Sequence, residues 1–132
     1  EKQILLDIGK WLKVNGEAIY GSYPFEVCPF EGKKSKNGAF KENKKFRRGD
    51  YCFTTKPGKI YVFPMAENLP RKLKIKSLRH ANEGGIRYDI KSVKILGQKE
   101  NLPFKQNEKH LKIDLGAKKD NAIPVCICID VD

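Results

Sequence analysis

Residues 51–63 read Tyr51-Cys52-Phe53-Thr54-Thr55-Lys56-Pro57-Gly58-Lys59-Ile60-Tyr61-Val62-Phe63. Strand-forming side chains on either side of Lys56-Pro57-Gly58-Lys59 predict a β-hairpin with its turn residues in place. Outward from this hairpin the period of two returns. Leu73-Lys74-Ile75-Lys76 alternates, as does Ile90 to Ile95 before Leu96-Gly97. Phe104-Lys105-Gln106 and Leu111 to Leu115 frame a second hairpin across Asn107-Glu108, and Pro124 to Val131 sets Val125, Ile127, Ile129 and Val131 on one face. Seven short strands with turn signals between them predict an antiparallel β-sandwich. Two or three apolar side chains per strand, worth about 1.5–3 kcal/mol each when buried, are enough for a core.

Upstream the period changes. Ile4, Leu5, Ile8, Trp11 and Leu12 recur on one helical face, so the first fifteen residues read as a helix. Asn15-Gly16 is a stop signal, with Gly16 expected in the left-handed conformation after the cap. No capping residue precedes the stripe, which suggests a helix continued from a longer chain. Between the helix and the hairpin, Gly21, Pro24, Pro29, Gly32, Gly38 and Gly49 punctuate what reads as a connector without regular structure. The predicted fold class is mostly β, an antiparallel sandwich preceded by one helix. Its divisions are 1–16, 17–50 and 51–132.

At 132 residues the chain holds one domain, and no apolar run reaches the length of a membrane span. The net charge of +11 is concentrated between Lys33 and Arg48, where eight basic residues face the single acid Glu42. Only Phe40 and Phe46 interleave with them, so the segment reads as a solvated loop and not as a nucleic-acid platform. Cys28, Cys52, Cys126 and Cys128 form no zinc-ligand pattern. Cys126 and Cys128 share one strand face about 7 Å apart, too far for an easy bridge. A Cys28–Cys52 bridge stays open, with free thiols the simpler expectation.

Catalytic equipment is sparse. His80 and His110 lie in polar, turn-like surroundings and are expected to be exposed. No nucleophile elbow occurs, and Glu83-Gly84-Gly85 lacks a following phosphate-binding helix. Asp7, Glu17, Asp89, Asp114, Asp130 and Asp132 are dispersed along the chain. No catalytic, metal or cofactor-binding residue is assigned, and no cofactor is expected.

Residues 9–25, GKWLKVNGEAIYGSYPF, are specific. Trp11, Leu12, Asn15, Gly16, Glu17, Ala18, Ile19, Tyr20, Gly21, Ser22 and Pro24 match a segment of the retaining α-L-fucosidase family, and the string closely resembles it. The likeness continues through Glu31-Gly32, Phe53-Thr54-Thr55-Lys56, Ile60-Tyr61, Ile75-Lys76-Ser77-Leu78, Ile90 to Val93, and Gln106 with Leu111, Ile113 and Leu115. Phe25 and Phe104 stand where that family commonly has Trp.

The resemblance implies a parent with a (β/α)8-type catalytic barrel followed by a sandwich. This chain would correspond to the end of the last barrel helix and the sandwich. The parent would hydrolyse terminal α-linked L-fucose with retention through two carboxylates, and neither maps onto this sequence. Trp11, Asn15, Gly16, Glu17, Ile19 and Tyr20 are expected to pack the sandwich against the barrel. The expected partners are that barrel and, through the parent, fucosylated glycans, with no nucleic acid and no membrane span. Left alone, the helix stripe is expected to fray or self-associate. The implied location is extracytoplasmic: secreted, periplasmic or lysosomal. The alternative is a carbohydrate- or polyanion-binding sandwich, with Tyr51, Tyr61, Tyr88 or Phe63 as a stacking ring and the basic loop as an anion contact.

Overall fold

The computed structural model describes residues 2–25, 30–32, 46–80 and 88–131, with helix side chains from Leu6 onward. Cys28, most of the basic segment (33–45), Glu83-Gly84-Gly85, Asp132 and the side chains of Ile4 and Leu5 lie outside the described residues. Helix α1 (Lys2–Asn15) leads into a 3-10 turn, Gly16–Ala18. The strands are β1 (Tyr23–Pro24), β2 (Phe30–Glu31), β3 (Tyr51–Lys56), β4 (Lys59–Pro64), β5 (Asn68–Leu69), β6 (Lys72–Ile75), β7 (Ile90–Ile95), β8 (Phe104–Gln106), β9 (Leu111–Asp114), β10 (Lys119–Asp120) and β11 (Ile127–Val131). A second 3-10 turn, Lys76–Leu78, follows β6.

The larger sheet runs β1-β3-β4-β11-β7, with β2 also pairing β3. The second sheet is β6-β9-β8, and β5 pairs β10 apart from both. All pairs are antiparallel. The 51–63 hairpin forms as expected, with Gly58 at φ 75° in its turn. Ladder register aligns Phe53, Val62, Ile127 and Ile95 in one inward row. Thr55, Ile60, Ile129 and Val93 form the next row in that direction. Leu73 and Ile75 of β6 and Leu111 and Ile113 of β9 join the same buried cluster from the other sheet. Alternation in the sequence thus becomes the two inner faces of a sandwich.

Polar side chains pin the layers where strands end. Asn121, buried, donates through Nδ2 to the Pro64 and Ala66 carbonyls at 2.8 Å and accepts from the Val125 amide. Glu31 accepts from the Lys76 and Ser77 amides and so holds the second 3-10 turn against β2. Gln106 donates to the Leu78 and Tyr88 carbonyls. Tyr51 accepts a bond from the Lys74 backbone between the sheets, and burial pushes its phenol up to about 12.

Several expectations change. The 17–50 connector contributes β1 and β2, two-residue strands that pair with β3 despite Pro24 and the glycines around them. Gly16 is not left-handed. It opens the 3-10 turn, and Gly21, at φ 67°, takes the left-handed position instead. The last strand begins at Ile127 and not at Pro124. His80 and His110 are half-buried, with His80 Nδ1 and His110 Nε2 shielded and unbonded. Tyr51 and Tyr61 are buried, and Tyr88 and Phe63 pack against the cores, so none offers a ring for stacking. Cys52, Cys126 and Cys128, by contrast, carry the free thiols expected of them.

Truncation at the inner face should be costly. Ile129→Ala is expected to lose about 2–5 kcal/mol in chemical denaturation. Ile123→Ala, at a side chain 74% exposed, should change stability by less than about 0.5 kcal/mol.

Candidate functional site

The outer face of the larger sheet is also covered, and by the N-terminal segment. Register places Thr54, Tyr61, Cys128 and Lys94 in one outward row. The 3-10 turn lies over this row. Thr54 Oγ1 donates to the Ala18 carbonyl at 2.5 Å, and Tyr61 OH donates to Glu17 Oε2 at 2.8 Å. Ala18, Tyr61, Leu96, Cys126 and Cys128 form a second buried cluster, with Phe63 packed against it. The two cysteines share a strand face, as their spacing requires.

Helix α1 is fastened at its C-terminal end. Trp11 Nε1–H donates to the Pro124 carbonyl at 2.6 Å, and its ring lies 6.3 Å from that of Phe63. Asn15 is buried and donates to the Trp11 carbonyl at 3.2 Å, an i−4 back-bond at the last helical residue. Gly97 sits at φ 89°, and a Cβ there would stand 2.7 Å from Val14 Cγ1. The helix therefore rests on bare backbone at this point. Gly16 is similarly tight, since a Cβ would meet the Tyr20 ring at 3.0 Å. Of the six residues expected at a packing face, Trp11, Asn15, Gly16 and Glu17 are engaged within this chain, with Pro124 and Phe63, the helix backbone, the Tyr20 ring and Tyr61 respectively. Ile19 (44% exposed) and Tyr20 (63%) face solvent.

The exposed large apolar side chains among the described residues gather around this segment. Leu6, Ile8, Val14, Ile19, Tyr20 and Tyr23 belong to it, and Ile123 neighbours Pro124, the acceptor for Trp11. A surface of this kind, beside strands whose described large apolar side chains are mostly inward, fits a partner. Its tyrosines and its Gly21 turn were visible as residues in the sequence. The anchoring role of Tyr61 was not, because alternation alone assigns it to a solvent face. The unbroken run Ile60-Tyr61-Val62-Phe63 was the available sign of a strand buried on both sides.

The electrostatics of the covered face favour packing over reactivity. Burial, then the bond to Glu17, drives the Tyr61 phenol far above its ordinary range. Burial raises the Cys126 and Cys128 thiols, so both stay protonated. At the edge of this face Lys59 Nζ meets Asp130 Oδ1 at 2.8 Å, and Ser92 Oγ donates to Asp130 Oδ2 at 2.9 Å. The Lys59 bond, more than any other contact, holds the Asp130 carboxyl below its usual value. Among the described residues, no group of three His, Cys, Asp or Glu side chains has the arrangement of a metal site.

Two outcomes follow from this geometry. A native thiol titration should leave Cys126 and Cys128 unreacted until the protein unfolds, whereas half-buried Cys52 reacts sooner. Because the folded state binds the Asp130 proton less tightly than the unfolded state, its stabilisation is present above the ordinary carboxylate range. That contribution is lost as pH falls through the lowered value. Asp130→Asn should therefore flatten the acid limb of stability against pH, read by thermal melts from neutral pH downward.

The chain superposes on the crystal structure of Thermotoga maritima alpha-fucosidase with a TM-score of 0.60 and 24% identity, over 97% of this chain and 26% of that one. The complex of the Thermotoga maritima enzyme with fucose gives a TM-score of 0.60 and 25% identity, over 97% and 26%. A structure described as alpha-L-fucosidase gives a TM-score of 0.60 and 23% identity, over 98% and 25%. No protein-family model and no curated protein sequence matches the chain. In fold, this chain corresponds to about one quarter of the length of an alpha-L-fucosidase.

Proposed function

We propose that this chain is the C-terminal sandwich module of an α-L-fucosidase, itself non-catalytic, and that it packs against the catalytic barrel of the same parent. One observation carries the reading. Among the described residues, the large apolar side chains left exposed are on the helix, the turn and β1, with Ile123 beside the Trp11 acceptor Pro124, while the strands bury theirs in the two core clusters. The superposition on a quarter of each fucosidase chain supports it, as does the resemblance of residues 9–25 to a segment of that family.

The division of labour has a physical basis. Trp11 fastens the helix end to the sandwich, and Leu6, Ile8, Ile19, Tyr20 and Tyr23 present apolar surface to the barrel. The parent would cleave terminal α-linked L-fucose with retention: one carboxylate attacks the anomeric carbon and a second acts as acid and then base. Both carboxylates would come from the barrel. The module would contribute stability and orientation to it. An extracytoplasmic location belongs to the same proposal.

The test compares this chain alone with the polypeptide that includes about 250 further upstream residues, the size of a barrel. The longer protein should hydrolyse an aryl α-L-fucoside and the 132-residue chain should not. In the longer protein, Tyr20→Asp with Ile19→Asp should lower the melting temperature by several degrees, the effect of about 1–3 kcal/mol of lost burial. Turnover by the chain alone, or an unchanged melting temperature in the double variant, would contradict the proposal.

A further inference from the structure

The outer face of the second sheet carries charge that the fold does not use. Its middle strand is β9, and Lys112 of that strand is directly opposite Lys74 of β6 on one side and Lys105 of β8 on the other. Leu73, Ile75, Leu111 and Ile113 on either side of these positions are buried, so the lysines project the opposite way. Paired strands lie about 4.8 Å apart, which sets three ammonium stems in a row across about 10 Å. Like charges directly opposite one another oppose pairing.

Little on this face offsets them. The ion pairs Lys59–Asp130 and Arg71–Asp114 do not include the row. Asp114, two residues beyond Lys112, is opposite Lys72 and held by Arg71. Glu108 stands in the β8–β9 turn. His110, two residues before Lys112, senses the accumulated charge. Burial lowers its basicity first, and Lys74, Lys112 and Lys109 lower it further. Phe104, next to Lys105 in sequence, packs against the core.

We propose that the row Lys105–Lys112–Lys74 binds a linear anionic polysaccharide, through sulfate or carboxylate groups that recur along the sugar chain. Compact ammonium charges on flexible stems suit anions whose spacing varies and whose geometry is not planar and fixed. A three-strand lysine surface whose neighbouring Phe104 ring is turned into the core suits a polar glycan better than single-stranded nucleic acid, which relies on aromatic stacking. This face lies across the sandwich from α1, so the inference does not depend on the proposed barrel contact.

The test is binding of the chain to heparin, neutral dextran and single-stranded DNA of matched length, each at low and moderate salt. Three proteins are compared: wild type, the variant Lys74→Gln/Lys105→Gln/Lys112→Gln, and Lys33→Gln/Lys34→Gln/Lys36→Gln. The last two lose the same charge from different places. Wild type should bind heparin in a salt-sensitive manner and ignore dextran. The sheet variant should lose about tenfold or more in affinity and show a shallower salt dependence, while the second variant loses less than about threefold. Melting temperatures should show that the sheet variant is as stable as wild type or more so, because a repulsion has been removed. Equal losses in the two variants, no binding by wild type, or tighter binding of DNA than of heparin through the same lysines would overturn the assignment.

Discussion

Strand β11 is buried on both faces, and the rest of the molecule is arranged to make that possible. Ile127 and Ile129 enter the core between the sheets, while Cys126 and Cys128 lie beneath the 3-10 turn on the other side. A central antiparallel strand with one solvated face would need only the sandwich. With both faces apolar it needs a third layer, which the first twenty residues supply. The first and last segments of the chain therefore complete one another. The Trp11–Pro124, Tyr61–Glu17 and Thr54–Ala18 bonds mark where they are joined.

This layering also explains what the sequence revealed and what it did not. The hairpins around Pro57-Gly58 and Asn107-Glu108 were legible because alternation and turn chemistry agree there. β1 and β2 were not, since two-residue strands rely on the edge of β3 and carry no period of their own. The helix stripe was legible as a stripe, but its destination was not. Trp11 serves the sandwich, whereas Ile8 on the same stripe remains exposed. Periodicity identifies an apolar face without identifying what covers it. Gly16 shows a further limit: its small size makes room for the Tyr20 ring, and the residue was read as a left-handed cap.

The two outward surfaces described above differ in chemistry. Around α1 and the turn the exposed side chains include Leu6, Ile8, Ile19, Tyr20 and Tyr23, which suits a permanent neighbour that excludes water. Across the sandwich, the three-lysine row keeps its hydration and fits a partner that exchanges in a salt-dependent manner. A module between a catalytic domain and an anionic glycan would use both. The buried, protonated cysteines and the satisfied Asp130 ion pair belong to the frame that holds the surfaces apart.

The central claim is that residues 11–20 fold as part of the sandwich. Native-state amide hydrogen exchange on this chain tests it most directly, because it reports opening segment by segment. The Ile19 and Tyr20 amides, both bonded to the Gly16 carbonyl, should exchange with protection approaching that of β3 and β4. The Glu17→Gln/Thr54→Val/Trp11→Phe variant should lose that protection while the strands keep theirs. Exchange of the Ile19 and Tyr20 amides at unprotected rates in the wild-type chain, with β3 and β4 fully protected, would contradict the claim.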